Sequence, residues 1–407
     1  MKEELVLKIK EATLNKREEI KGLLKKLIAI KSICGDIEEI VDFVGDQASK
    51  WSIDFERDPM GNALLKAGDS PRTLVYDAHL DTVGVGDINS WKRNPFEAYE
   101  EDGVIYGLGA CDEKGGFVSM FFGLVIASEL DLLPSDLTLY LQGNAEEICD
   151  GLASQVLVEM KGIKPEGVVI GEPTGLRVYQ GHRGRVEVAI SFAGRSSHAS
   201  MPHLGESALL KSAKALLELE ELNETFLEDP FLGKGSLVIS DLKVETSSIN
   251  AVPAKATLFI DRRLTSGETL DRVQQELEGA VKSFGGKIEI LKSVFKAYTG
   301  LNLKMEHYFP SWVLPEGSYL VKVARKTHRL LRDEEAMFGR WNFSTNGVYW
   351  MGKVGIPAIG YGPGEEEFAH TTSDHVPVDH LLKATEFYAL FPYVFALGKE
   401  DHLQISY

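Results

Sequence analysis

The residues best equipped for chemistry are carboxylates and histidines gathered in five short segments of the 407-residue chain. The first segment is Tyr76-Asp77-Ala78-His79-Leu80-Asp81-Thr82. A strand here puts His79 and Asp81 on one side, because side chains alternate with a period of two. A carboxylate beside a ligating imidazole orients the ring and raises its basicity, although an isolated pair of this kind also reads as a simple hydrogen-bonding pair. The second segment runs from Tyr106 to Gly116. Its glycines follow neither dinucleotide nor Walker A spacing, so phosphate binding is set aside. They suit a backbone that must approach a crowded centre while Asp112 projects from the turn before a helix. The third is Glu146-Glu147, directly after the apolar Leu137-Thr138-Leu139-Tyr140-Leu141. On a solvated edge such a pair is unremarkable, but buried like charges repel and require a cation or a shared proton.

Glu172-Pro173 and His370, within Gly362 to Asp374, complete the set. His370 alone is a bland loop histidine. Taken together, His79, Asp112, Glu147, Glu172 and His370 offer imidazole and carboxylate ligands suited to zinc, cobalt or manganese. The helical H-E-x-x-H motif of monozinc proteases is absent. Three cysteines, Cys34, Cys111 and Cys149, form no C-x-x-C pair, which argues against disulfides and thiolate zinc; Cys111 and Cys149 read as small packing residues rather than nucleophiles.

These groups need a scaffold. The chain is 44% apolar and 26% charged, ordinary for a folded globular protein, and its length suggests about two domains. A net charge of -17, with no dense basic stripe, disfavours nucleic acid as a partner. Met1 to Val41 mixes charges with leucines and shows neither signal peptide nor membrane span, so a cytoplasmic protein with no membrane partner is expected.

The spacing predicts an amphipathic helix or helix pair over residues 4–30, then apolar strands from Thr73, over Leu137 to Gln142 and over Gly167 to Ile170, with helices over Gly116 to Leu130 and Gly151 to Met160. This alternation predicts an α/β fold with a mixed, mostly parallel sheet. The acidic residues fall at the strand ends, where ligands of such sheets gather. From Val186 the order becomes strand, helix, strand, strand, helix, strand as far as Leu291, that of a ferredoxin-like unit. It predicts an inserted α+β domain over residues 184–297, between halves 1–183 and 298–407 of a discontinuous catalytic domain. The second half should hold a helix over Tyr319 to Leu331, a strand over Val354 to Tyr361 and a closing helix over Leu381 to Ala396.

In order and wording these segments resemble the dinuclear zinc family of aminoacylases, carboxypeptidase G, acetylornithine deacetylase and succinyl-diaminopimelate desuccinylase, over nearly the whole chain. Tyr179 to Arg185, Tyr308 to Trp312 and Trp341 to Gly347 look most like the selenium-metabolism-linked hydrolases of that family. The resemblance implies a zinc-exopeptidase-like sheet with helices on both faces and an inserted lid that makes a homodimer. It implies two Zn2+ per chain, with Co2+ or Mn2+ as substitutes, Asp112 bridging them, His79 and Glu172 completing one site, and Glu147 and His370 the other. Glu146 would be the general base, Asp81 would support His79, and His198 would reach a substrate carbonyl oxygen. Asn250, Asn346 and Arg263 would bind substrate, with adjacent Arg262 and Arg263 both open as the cleft-facing arginine. The implied activity is hydrolysis of an amide in an N-acyl amino acid or small peptide, as deacylase or dipeptidase. A catalytically silent metal-binding assembly protein is the rival, and the presence of Glu146 beside the ligands argues against it.

Overall fold

The computed structural model describes residues 2–147 and 151–400, so Cys149 lies outside the described residues. Helices α1 (Lys2–Asn15), α2 (Arg17–Ala29) and α3 (Glu38–Lys50) open the chain, the first two meeting at Lys16. Strands β1 (Asp54–Arg57), β2 (Ala63–Ala67) and β3 (Thr73–His79) follow, then the small β4 (Tyr99–Glu101) and β5 (Val104–Tyr106). Helix α4 (Gly115–Glu129) leads to β6 (Thr138–Asn144), α5 (Leu152–Glu159), β7 (Gly167–Ile170) and β8 (Val178–His182). Apolar on all sides, α4 is buried along nearly its whole length.

The chain then enters β9 (Gly184–Ala193), α6 (Ala208–Leu222), the short β10 (Glu228–Asp229) and β11 (Gly233–Lys234), β12 (Ser236–Glu245), β13 (Lys255–Leu264), α7 (Leu270–Val281) and β14 (Gly286–Ile290). A hairpin, β15 (Lys292–Lys296) and β16 (Asn302–Glu306), returns it through β17 (Tyr308–Phe309) and β18 (Trp312–Val313) to α8 (Tyr319–Arg332), β19 (Phe338–Trp341), β20 (Ala358–Gly360), β21 (His375–Pro377) and α9 (Val378–Glu400).

The main sheet runs β1-β2-β6-β3-β7-β20-β8-β18, with β19 also on β8. Its centre, β6-β3-β7-β20, is parallel, and its flanks are mixed. The second sheet, β12-β13-β9-β14, is antiparallel and carries α6 and α7, giving the ferredoxin-like order. β17 joins it through Tyr308↔Val186, so residues beyond 297 contribute to this layer. The two layers have separate apolar cores.

The strand expected over Val354 to Tyr361 is shortened to Ala358–Gly360. Gly355 turns the chain at φ +69°, and Pro357 contributes a carbonyl to Val168 but has no N–H for a ladder.

Candidate metal centre

Strands β3, β6 and β7 are neighbours, and each brings an acidic or imidazole group to the same end of the sheet. β3 ends on His79, β6 is followed by Glu146 and Glu147, and β7 by Glu172. Gly116 at the start of α4 allows a close approach: a Cβ there would sit 2.3 Å from the Gly171 carbonyl oxygen. The first turn of α4 thereby abuts the end of β7, and Asp112 meets Glu172.

Asp112 is the hub. Its Oδ1 lies 2.9 Å from His79 Nε2 and its Oδ2 lies 3.2 Å from His370 Nε2, so each carboxylate oxygen addresses a different imidazole. Glu113 and Glu172 each bring an oxygen to 3.8 Å from His79 Nε2. His79, Asp112 and Glu172 offer ligand atoms all within 4.8 Å of one another. On its other side, His79 Nδ1 lies 3.0 Å from the Asp81 carbonyl oxygen and 3.3 Å from Asp81 Oδ1. His370 holds φ +59°, a left-handed conformation uncommon for a residue with a side chain.

The electrostatics are those of a site short of positive charge. Burial pushes the Glu113 and Glu172 carboxyls well up, and for Glu172 the neighbouring Glu113 and Asp112 add to the push. Burial would also raise Asp112, but hydrogen bonds from His370 and His79 hold it below the usual carboxylate range. Burial opposes a charge on His79, yet Asp112 and Asp81 raise its proton affinity well above normal. Glu113 Oε1 and Glu172 Oε2 are buried with no hydrogen-bond partner among the described residues. A hard divalent cation would satisfy these oxygens, so the donor set fits a His/carboxylate metal centre.

A cavity of about 670 Å³ opens over the cluster, lined by His79, Asp81, Asp112, Glu147, Glu172 and His370. The Glu147 amide donates to Asp81 Oδ1 at 3.0 Å. Glu146 is 3% exposed and its carboxyl is raised by burial; Oε1 accepts the Gly35 N–H at 2.9 Å, beside cavity-lining Cys34 but not itself on the lining. Strand alternation separates the two arginines. Arg262 is fully buried on Glu268 (2.5 Å), whereas Arg263 lines the cavity while paired with Asp261.

Three expected substrate residues stand elsewhere. Asn346 is 3% exposed, its Nδ2 donates to Asp77 Oδ1 at 2.9 Å, and it is not among the residues lining the cavity. His198 and Asn250 are exposed on the second layer and do not line the cavity; His198 Nδ1 meets Ser200 Oγ at 2.7 Å.

Sequence reasoning passed over Glu113, although adjacent carboxylates were the very signal used for Glu146-Glu147. It also missed Arg185, which lines the cavity opposite Arg263 in the β9/β13 register, and Asp77, a buried carboxylate that accepts from Asn144, Ser154, Asn346 and Trp350. Asp374 is a further omission. It fixes the segment before Asp112 by accepting the Gly109 and Cys111 amides at 2.6 and 2.8 Å, and burial pushes its carboxyl up to about 8.

Residues 75–393 match peptidase family M20/M25/M40. The chain is 39% identical to the Escherichia coli (strain K12) protein YgeY over 373 residues, covering 91% of this chain and 92% of that one. It is 26% identical to acetylornithine deacetylase of Buchnera aphidicola over 322 residues, 77% of this chain and 78% of the relative. Among solved structures, the M20 family metallo-carboxypeptidase Sso-CP2 of Sulfolobus solfataricus superposes with a TM-score of 0.72 at 18% identity, covering 93% of this chain and 99% of that one. A dinuclear metal-binding M20 peptidase of Bacillus subtilis gives 0.68 at 11% identity, covering 93% and 98%. With its histidine and carboxylate motifs inside the matched span and its fold shared along nearly its full length, the chain belongs to peptidase family M20/M25/M40.

Proposed function

We propose that this member of the family is a dinuclear zinc-dependent amidohydrolase that cleaves an N-acyl amino acid or small peptide. One observation carries the reading: partly buried Asp112 turns one oxygen toward His79 and the other toward His370, as a carboxylate shared by two ions would. In this reading Asp112 would be shared between the two ions, His79 and Glu172 would help hold one, and Glu147 and His370 the other. Bound zinc, or cobalt or manganese in its place, supplies Lewis acidity toward the carbonyl oxygen and lowers the pKa of water.

The chain's own residues do the rest. Asp81 holds the His79 ring by its Nδ1 edge. Glu146, whose burial strengthens its hold on a proton, takes one from the attacking water and returns it to the leaving amine. Arg263, supported by Arg185 across the strand pair, receives the substrate carboxylate. Asn346 acts through Asp77 rather than by touching substrate. Residues 184–297 serve as a lid and dimerisation domain between catalytic segments 1–183 and 298–407. The exposed positions of His198 and Asn250 suit service to a partner copy's cavity. No helix of the described residues is long and apolar enough to cross a membrane, and we place the enzyme in the cytoplasm.

The test is a hydrolysis screen of zinc- or cobalt-reconstituted protein against N-acetyl, N-succinyl and N-carbamoyl amino acids and dipeptides. Turnover of at least one class, abolished by chelation, is expected, and its identity separates deacylase from dipeptidase. Protein holding two metals per chain yet inactive on every class would point instead to the silent assembly protein. Light scattering should give a dimer; a fully active monomer would remove His198 from the site in trans.

A further inference from the structure

Strand β6 stops at Asn144, and the amide of Ala145 lies just past its last ladder pair with β3. The side chain of Asn62 takes over there: Oδ1 accepts the Ala145 N–H at 2.8 Å from the position before β2 begins. Asn62 is fully buried, and its Nδ2 donates to Asp58 Oδ2 at 2.7 Å. Asp58 closes the turn beneath by accepting the Met60, Gly61 and Asn62 amides at Oδ1, at 2.8, 3.0 and 3.0 Å. Because the Ala145 N–H can only donate, Asn62 must turn its carbonyl oxygen there, and its NH2 is left to face Asp58.

The far side of this turn meets the tip of the β15–β16 hairpin. Tyr298 Oη donates to the Gly61 carbonyl at 2.8 Å, and Thr299 Oγ1 to that of Pro59 at 2.9 Å. Gly61 has φ +97°, and a Cβ on it would lie 2.2 Å from the Tyr298 ring, so turn and hairpin tip touch where no side chain fits. Met60 packs with Ala297 of the hairpin and with Leu152, Ala153 and Val156 of α5. The hairpin follows directly from β14 of the second sheet.

We propose that Asp58 and Asn62 form a buried positioning pair that sets the Glu146–Glu147 turn, clamped by the hairpin tip at Tyr298. What the turn does rests on the amidohydrolase reading; its positioning does not. Asn62 thus acts on the base and on a metal ligand through the single amide that precedes them, and the hairpin gives movements of the second layer a route to the reactive turn.

The experiment measures zinc affinity by chelator competition, together with kcat and KM on whichever substrate the screen identifies. Asn62→Asp sets two carboxylates face to face and should lower kcat and the affinity for one zinc by roughly 10- to 100-fold, the usual cost of disturbing an outer partner of a ligand, with KM changed less than about threefold. Asp58→Asn combined with Asn62→Asp restores one donor between the two side chains and should return both quantities to within about threefold of wild type. Tyr298→Phe, a milder change should Asn62→Asp fail to fold, should cost about threefold in kcat. A folded Asn62→Asp with wild-type kcat and zinc affinity, a folded double variant that recovers neither, or a Tyr298→Phe protein with unchanged kcat would overturn the proposal. If wild type hydrolyses nothing while Asn62→Asp still weakens zinc and the double variant restores it, the amidohydrolase reading fails and the positioning pair stands.

Discussion

Two clusters of buried charge sit in this molecule, and they are solved in opposite ways. In the second layer, Arg262 is enclosed with Glu268 at 2.5 Å and Glu276 at 3.3 Å, its guanidinium lies 3.4 Å from the centroid of the Phe226 ring, and Glu268 also accepts the Thr265 amide at 2.8 Å. Cation, anion and hydrogen bonds close on themselves there. At the end of the main sheet, Asp112, Glu113 and Glu172 crowd around His79, and buried oxygens are left over. A closed set of charges holds a fold together, whereas an open one is shaped for something that must come from outside. Burial of charge alone does not mark a functional site; a deficit of partners does.

The largest test of this contrast is catalytic. Glu146→Gln should keep both metals and lose about 100- to 10,000-fold in turnover, whereas Glu147→Gln should weaken one metal and recover part of its activity with added zinc or cobalt. Metal analysis and steady-state kinetics on the two variants check it, and the opposite pattern would exchange base and ligand. In the closed cluster, Glu268→Ala strands a buried guanidinium and should cost about 3–5 kcal/mol in urea unfolding while leaving zinc stoichiometry at the wild-type value. A loss below about 1 kcal/mol would mean that water or Glu276 replaces the partner and that the cluster is not closed.

The smallest expected effect concerns His182, a buried group satisfied only when neutral. Its Nδ1 donates to the Arg183 carbonyl oxygen at 2.8 Å and its Nε2 accepts the Thr345 amide at 3.2 Å. Protonating Nε2 would set two N–H groups against each other, and burial holds the imidazole pKa down to about 4. A depressed folded-state value means that stability is fully present above the unfolded pKa near 6.5 and drains as pH falls toward 4. The full loss from this one group is about 3 kcal/mol. Urea unfolding of wild type and His182→Gln, both metal-free, should show that difference in pH dependence between pH 6.5 and 4; parallel curves would remove His182 as its source.

Much of the scaffold was legible because burial writes itself into apolar runs and alternation. Gly167–Ile170 is fully buried and uninterrupted, and β9 and β13 alternate cleanly. The same alternation, applied to Arg262 and Arg263, would have told them apart: on β13 the first is buried and the second partly exposed. β1 and the β15–β16 hairpin were not foreseen, since their exposed, charged faces resemble loops in composition. The contact of Asn346 with Asp77 could not be read in advance, because a motif fixes an order of residues and not the direction a side chain takes. Asn62 was invisible for a related reason: its role depends on a register, Ala63↔Gly143, between segments some eighty residues apart.

The paired strands β9 and β17 carry a last consequence. The chain enters the second layer along β9 and leaves it along β17, and Tyr308↔Val186 and Phe309↔Arg185 put departure directly beside arrival. A module whose two ends meet can be acquired, exchanged or discarded in a single genetic event without parting the sheet that receives it. Arg185 and Arg263 stand on strands of that module, so exchanging it would replace these cavity-lining groups while leaving His79, Asp112 and Glu172 in place.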